Sequence, residues 1–379
     1  MDKVLVAMSG GVDSTAAVLI LQDDEYQVEG CTLHLWDPSD FNRQADDPPG
    51  EDSTPAVRDA AKVAEILQVP LAVLEREGIF EERVVEPFVR SYLSCRTPIP
   101  CIKCNRFLKF DSLLEYAEAK GFDYVATGHY ARIGEDGQGK KTLLRGKDYR
   151  KDQSYFLFEL NQEILSRLLF PVGELSKDEV REMLGSREIR IAEKPESQEI
   201  CFIPGGDYSG FIRSYCQARK DSLAGAFRSL DREGPVILKD GTLLGRHRGL
   251  YRYTIGQRKG LGIAHSRPLY VLNLERETNT LVLGYRDDTF SAGLTASDAS
   301  WISGDSPGGP FEARIKIRST HKPAEGKVYP EKQGGYGSSF RVVFREPQAA
   351  VTPGQAAVLY DGDRVIGGGW IEKGIPNEG

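Results

Sequence analysis

Residues 3–17 read KVLVAMSGGVDSTAA. The run from Lys3 to Met8 is nearly all Val, Leu and Ala, the composition of a strand buried on both faces. It stops at Ser9-Gly10-Gly11, and from Thr15 the stretch TAAVLILQ reads as a helix. A strand that turns through two glycines into a helix is a phosphate-binding geometry. The missing side chains let backbone approach an anion, and the helix start offers unpaired N–H groups and a favourable dipole. Neither the Gly-Lys-Ser/Thr of a Walker loop nor Gly-x-Gly-x-x-Gly is present, so the commonest nucleotide motifs do not describe it. Ser9 and Ser14 at its ends and Asp13 inside it favour phosphate binding over a plain tight turn.

The pattern continues outward. VEGCTLHLW (28–36), PLAVLE (70–75) and DYVATGHYA (123–131) read as strands. DAAKVAEILQ (59–68) and FLKFDSLLEYAEAKG (107–121, closed by Gly121) read as helices, as does SKDEVREMLGS after an N-cap at Ser176. Strands alternating with helices predict an α/β domain built on a parallel sheet. The polar, proline-rich segment 37–55 is expected as an exposed loop. From about residue 205 helical periodicity gives way to short strands between glycine turns, and after about 290 tight DG turns join alternating strands. Three modules are expected: 1–205, 206–288 (small and mixed) and 289–379 (a β-barrel or sandwich).

At 379 residues and 40% apolar composition the chain has material for two or three cores. A net charge of −7 argues against a surface coated for nucleic acid, yet leaves room for a local basic face. Three clusters offer one: Arg145, Lys147, Arg150 and Lys151; Arg246, Arg248, Arg252, Arg258 and Lys259; Arg314, Lys316, Arg318 and Lys322. The first apolar run is too short for a signal peptide or membrane span, and six cysteines make no disulfide framework; a cytoplasmic location away from membranes is expected.

The segment PIPCIKCN, 98–105, spaces Cys101 and Cys104 by two residues. The residues alone leave open half a zinc site, a redox dithiol, an iron–sulfur ligand set, or a nucleophile with an incidental neighbour. Cys31, Cys95 and Cys216 read as packing residues, and His129 as a structural hydrogen-bonding residue.

SGGVDS resembles the pyrophosphate loop of the ATP pyrophosphatase superfamily. PCIKCN, ATGHYAR (126–132), LLRGKDYRKDQSYFLF (143–158), LFPVGEL (169–175), ESQEICFIP (196–204), HRGLYRYTIGQRKGLGI (247–263) and AVTPGQAAVLYDGDRVIGGG (350–369) follow in one order. Together they resemble the tRNA-specific 2-thiouridylase family from end to end. That resemblance implies an adenine nucleotide alpha-hydrolase-like first domain, a tRNA-interacting central domain and a C-terminal β-barrel. It also implies the reaction: ATP adenylates the C2 oxygen of the wobble uridine of tRNA, and sulfur then displaces AMP. The implied cofactors are ATP and Mg2+. The implied partners are tRNA and a sulfur-donor protein or sulfide, with no DNA.

By the same resemblance ATP meets Ala7, Met8, Ser9, Gly10, Gly11, Val12, Asp13, Ser14, Leu33 and Gly128, with Asp13 helping to hold the magnesium ion. tRNA meets Ile99, Pro100, Cys101, Lys151, Asp152, Gln153, Arg318 and Ser319. Two departures from the family pattern stand out: Ile99-Pro100-Cys101 replaces Asn-Pro-Asp or Asn-Pro-Cys, and Ser319 stands where some relatives carry Tyr. Cys104 is the implied nucleophile and Cys201 the persulfide carrier, closing a transient Cys104–Cys201 disulfide. The second reading makes Cys101, Cys104 and Cys201 ligands of a [4Fe–4S] cluster whose fourth iron binds hydrosulfide. Both readings need Cys104 and Cys201.

Overall fold

Val4 and Val6 of β1 (Lys3–Ala7) enter one apolar layer and Leu5 enters the opposite one, all three fully buried. That two-sided burial is why the strand is apolar throughout. The computed structural model describes residues 1–35, 54–189, 200–219, 221–332 and 338–377; the loop expected over 37–55 lies, through residue 53, outside them. Strand β2 (Gln27–His34), β3 (Leu71–Glu75) and β4 (Tyr124–Ala126) follow, then a hairpin of β5 (Ala131–Glu135) and β6 (Lys141–Arg145), then β7 (Leu168–Leu169). Five of these form a parallel sheet in the order β3-β2-β1-β4-β7. Helices Val12–Asp23, Pro55–Leu67 and Lys177–Ser186 cover the Val4/Val6 face, and Ser112–Lys120 covers the Leu5 face. The expected α/β domain is present.

Two local expectations are corrected. The helix expected from residue 107 starts at Pro100, one α-turn (Pro100–Lys103) running into a π-helical stretch (Cys104–Asp111) and then Ser112–Lys120. Pro100 occupies the first helical turn, where its missing N–H is not needed. Both cysteines of that motif therefore lie at a helix start. The strand expected over 123–131 leaves the ladder after Ala126 and resumes in another sheet at Ala131.

The central region is also more helical than its sequence suggested. Helices Tyr208–Gln217 and Ser222–Leu230 are capped by the Asp207 and Asp221 carboxylates, which accept from Gly210 N (2.9 Å) and Leu223 N (3.0 Å). Beside them stands a four-stranded sheet, β10-β11-β8-β9, of β8 (Gly234–Leu238), β9 (Leu243–His247), β10 (Tyr270–Glu275) and β11 (Thr280–Gly284). The last module orders β12 (Phe290–Trp301), β15 (Ser338–Ala349), β14 (Ala324–Lys332), β13 (Phe311–Lys316), β16 (Ala356–Asp361) and β17 (Arg364–Pro376). Pairing of β12 with β17 closes the ring, so this is a barrel and not a sandwich. The β5–β6 hairpin attaches to it through Arg364 opposite Leu144, tying the first domain to the last. Among the described residues no helix is long and apolar enough to cross a membrane.

Candidate active site

β1 delivers the chain to the loop with Met8 N donating to Cys31 O (2.7 Å). Gly10 takes φ +67°, and a Cβ there would lie 2.5 Å from Asp59 Cβ, so both conformation and space require glycine. Ser9 N donates to Ser14 Oγ (3.3 Å), while Ser14 Oγ and Thr15 Oγ1 donate to Gly11 O (3.1 and 2.8 Å). The loop is thus rigid. Gly11 is the N-cap residue of Val12–Asp23 and supplies no side-chain cap, which leaves the first amides of that helix for an anion.

Asp13 faces two partners that the sequence reading missed. Its Oδ1 accepts from Tyr130 OH (2.8 Å) and from Lys177 Nζ (2.7 Å). Lys177 is buried at 4% exposure and also lies 5.8 Å from the Tyr130 ring centroid. It follows Ser176, whose capping box with Glu179 fixes the helix start as expected. The sequence marked that cap; nothing in it coupled Lys177 to Asp13. Gly128 sits where β4 leaves the sheet, and a Cβ there would lie 2.6 Å from Asp13 C and 2.7 Å from Ser14 N. It abuts the loop backbone. His129 is buried, bonded to Thr127 Oγ1 (2.7 Å) and flanked by Phe110 and Phe170; burial, helped by the Lys109 charge, holds its pKa well below the ordinary imidazole value. Leu33 stands in β2, half-buried between two apolar clusters.

The three thiols named from the sequence come together. Cys104 is buried (8% exposed), and loss of water pushes its thiol up to about 12; the nearby Cys201 and Cys101 add to the rise. Cys101 and Cys201 are open to solvent as residues, yet the protein around them also raises their thiols, and Cys101 is felt at Cys201. Lys109 opposes the rise at all three. Its place follows from the π-helical stretch. With about 4.4 residues per turn, Lys109 returns to the Cys104 face after five residues; an α-helix, at 3.6 per turn, would carry it well round the axis. Lys109 was a third residue missed, hidden in the apolar FLKF. Because it also acts on His129, it links the thiols to the Gly128 edge of the phosphate loop.

The residues proposed to meet RNA divide. Pro100 is buried and Ile99 half-buried against apolar core. The Asp152 carboxylate is buried, pairs with Arg145 (3.0 Å) and accepts from Gly146 N and Ser154 N. Gln153 Oε1 accepts from Tyr130 N (2.9 Å). These contacts shape the turn. Lys151 is half-buried, Arg318 donates to Ala349 O (3.3 Å) and Ser319 is exposed. The first and third basic clusters converge, since buried Lys316 feels both Asp152 and Arg145, and Arg318 acts on Tyr155.

A parallel-sheet domain with a phosphate loop, followed by two β-rich domains, is the organisation matched by three family models. They are the tRNA methyl transferase HUP domain over residues 2–205, the tRNA methyl transferase PRC-barrel domain over 226–285 and the aminomethyltransferase beta-barrel domain over 291–371. The tRNA-specific 2-thiouridylase MnmA of Solibacter usitatus is 45% identical, the match covering 97% of this chain and 99% of the relative. The tRNA-specific 2-thiouridylase MnmA of Carboxydothermus hydrogenoformans is 45% identical over 98% of each chain. The chain belongs to the tRNA-specific 2-thiouridylase family.

Proposed function

We propose that this protein is a tRNA-uridine 2-sulfurtransferase that uses ATP to activate the C2 oxygen of the wobble uridine. The observation that carries the reading is that Cys201, from a distant part of the chain, is felt at Cys104 and itself feels Cys101, while Lys109 acts on all three thiols and on His129 next to Gly128. A uracil C2 oxygen is a poor leaving group until it is esterified. It attacks the α-phosphorus of ATP and expels pyrophosphate, while the free helix-start amides and Lys177 stabilise the phosphate charge. Mg2+ is commonly held by one or two carboxylates and substrate phosphates, and Asp13 at the loop is the carboxylate that fits it; the ion would neutralise phosphate charge.

Sulfur transfer follows from the thiols. The terminal sulfur of a Cys201 persulfide attacks C2, and AMP departs with the C–O electron pair. Cys104 thiolate then attacks Sγ of Cys201; that S–S bond breaks, its electron pair forms the thiocarbonyl, and a Cys104–Cys201 disulfide remains. An external thiol reduces it, and a sulfur-donor protein reloads Cys201. Lys109 supplies the positive charge that favours Cys104 thiolate in a site whose burial disfavours it. Among the described residues no three His, Cys, Asp or Glu side chains are arranged to hold a single metal ion; a [4Fe–4S] cluster would take Cys101, Cys104 and Cys201 each on its own iron, and no step is drawn through one.

The test is pyrophosphate release from ATP, with and without tRNA, alongside 2-thiouridine in the RNA. Release that requires tRNA and matches the thiouridine formed supports the reading. Release with a small amine or acid instead of tRNA contradicts it.

A further inference from the structure

We propose that Tyr149 is a stacking platform for an unpaired nucleobase of the RNA substrate, an inference that rests on the tRNA reading above. Tyr149 lies in the turn after β6 and is 57% exposed, the one aromatic ring among the exposed large hydrophobic side chains of the described residues. The ring is not loose. The Arg145 guanidinium lies 4.2 Å from its centroid. Its hydroxyl donates to both Asp363 carboxylate oxygens (2.9 and 3.1 Å), and Asp363 is paired with Arg132 (3.1 Å). Arg132 Nε donates to Arg145 O (2.7 Å), and Arg145 is held in turn by buried Asp152.

The ring is therefore fixed at one edge and on one face before any ligand arrives, with the opposite face toward solvent. A pre-positioned aromatic face loses little freedom on binding, and it suits a flat π-system of any base identity. Exposed Lys147 and Arg150 flank it in the same turn, and Lys151 follows, placing cations where the backbone phosphates of a stacked nucleotide would run. The turn is also anchored to the reaction centre. Tyr130 N donates to Gln153 Oε1 at its end, and Tyr130 OH donates to Asp13 of the phosphate loop. A base stacked on Tyr149 would lie beside the site that activates its neighbour.

The experiment measures binding of the full-length protein to an unmodified tRNA transcript with a wobble uridine, over a range of salt concentrations. Tyr149→Ala should weaken binding at least about five-fold, with the slope of log affinity against log salt unchanged, because no phosphate contact is lost. Tyr149→Trp should bind like the wild type, and the emission it adds should be quenched when tRNA binds. Equal affinity of wild type and Tyr149→Ala would overturn the proposal. So would a shallower salt slope in Tyr149→Ala, or added Trp emission that tRNA leaves unchanged. Failure of the wild type itself to bind the transcript would instead overturn the tRNA reading.

Discussion

Replacing Lys177 with methionine keeps the length of the side chain and its packing on Tyr130, but removes the cation 2.7 Å from Asp13 Oδ1. Breaking a fully buried pair by deleting one partner costs about 3–5 kcal/mol. The Lys177 side chain is 4% exposed, but that of Asp13 is 33% exposed, and water takes up part of the stranded charge. The expected loss is accordingly about 1–3 kcal/mol. In a domain of this size that lowers the thermal midpoint by about 2–10 °C. Adding Asp13→Asn removes the stranded charge and should restore most of the stability, a coupling that a double-mutant cycle reads directly. Catalysis should behave differently. ATP-dependent pyrophosphate release should be lost in the single and the double variant alike, because neither retains the cation beside the loop. Thermal unfolding and pyrophosphate release of the four proteins in the cycle make the test. A Lys177→Met protein with wild-type midpoint and turnover would refute the placement of Lys177 at the phosphates.

Three other outcomes are expected. Gly128→Ala places a Cβ against Asp13 and Ser14 backbone, so it should displace the loop, cost about 1–3 kcal/mol and raise the KM for ATP. For His129, whose folded pKa is depressed, the unfolded imidazole binds a proton below about pH 6.5 while the folded one stays neutral. Stability should fall as pH drops through that window, by up to about 1.4 kcal/mol per unit for this proton. His129→Gln should show a correspondingly flatter pH dependence in thermal unfolding. Lys151→Ala should weaken tRNA binding and reduce its salt slope by about one phosphate contact, leaving ATP affinity unchanged.

The parallel sheet was legible because its strands are buried on both faces and its helices keep a 3.6-residue period, as Val4, Leu5 and Val6 and the Pro55–Leu67 helix demonstrate. The phosphate loop was legible because two glycines between a strand and a helix have few other uses. The start of the cysteine helix was not, since a π-helical stretch breaks the period and Pro98 and Pro100 look like loop. The central helices were missed because short sequences such as YSGFIRSYCQ and SLAGAFRSL carry glycine inside them, and their aspartate caps read equally well as turns. The cluster of thiols needed the family resemblance, because no spacing joins Cys104 to Cys201. Lys177 and Lys109 were invisible for a related reason. Each earns its place through a partner supplied by the fold: Asp13 for one, the three thiols for the other.

A single turnover of enzyme loaded with persulfide on Cys201, given ATP and unmodified tRNA without reductant, joins every step in one measurement. 2-Thiouridine, pyrophosphate, AMP and the Cys104–Cys201 disulfide are quantified in the same sample. The proposed chemistry requires one of each per turnover, with pyrophosphate still released but no thiouridine formed by Cys104→Ser. Thiouridine from Cys104→Ser at the wild-type rate, or thiouridine without pyrophosphate, would contradict it.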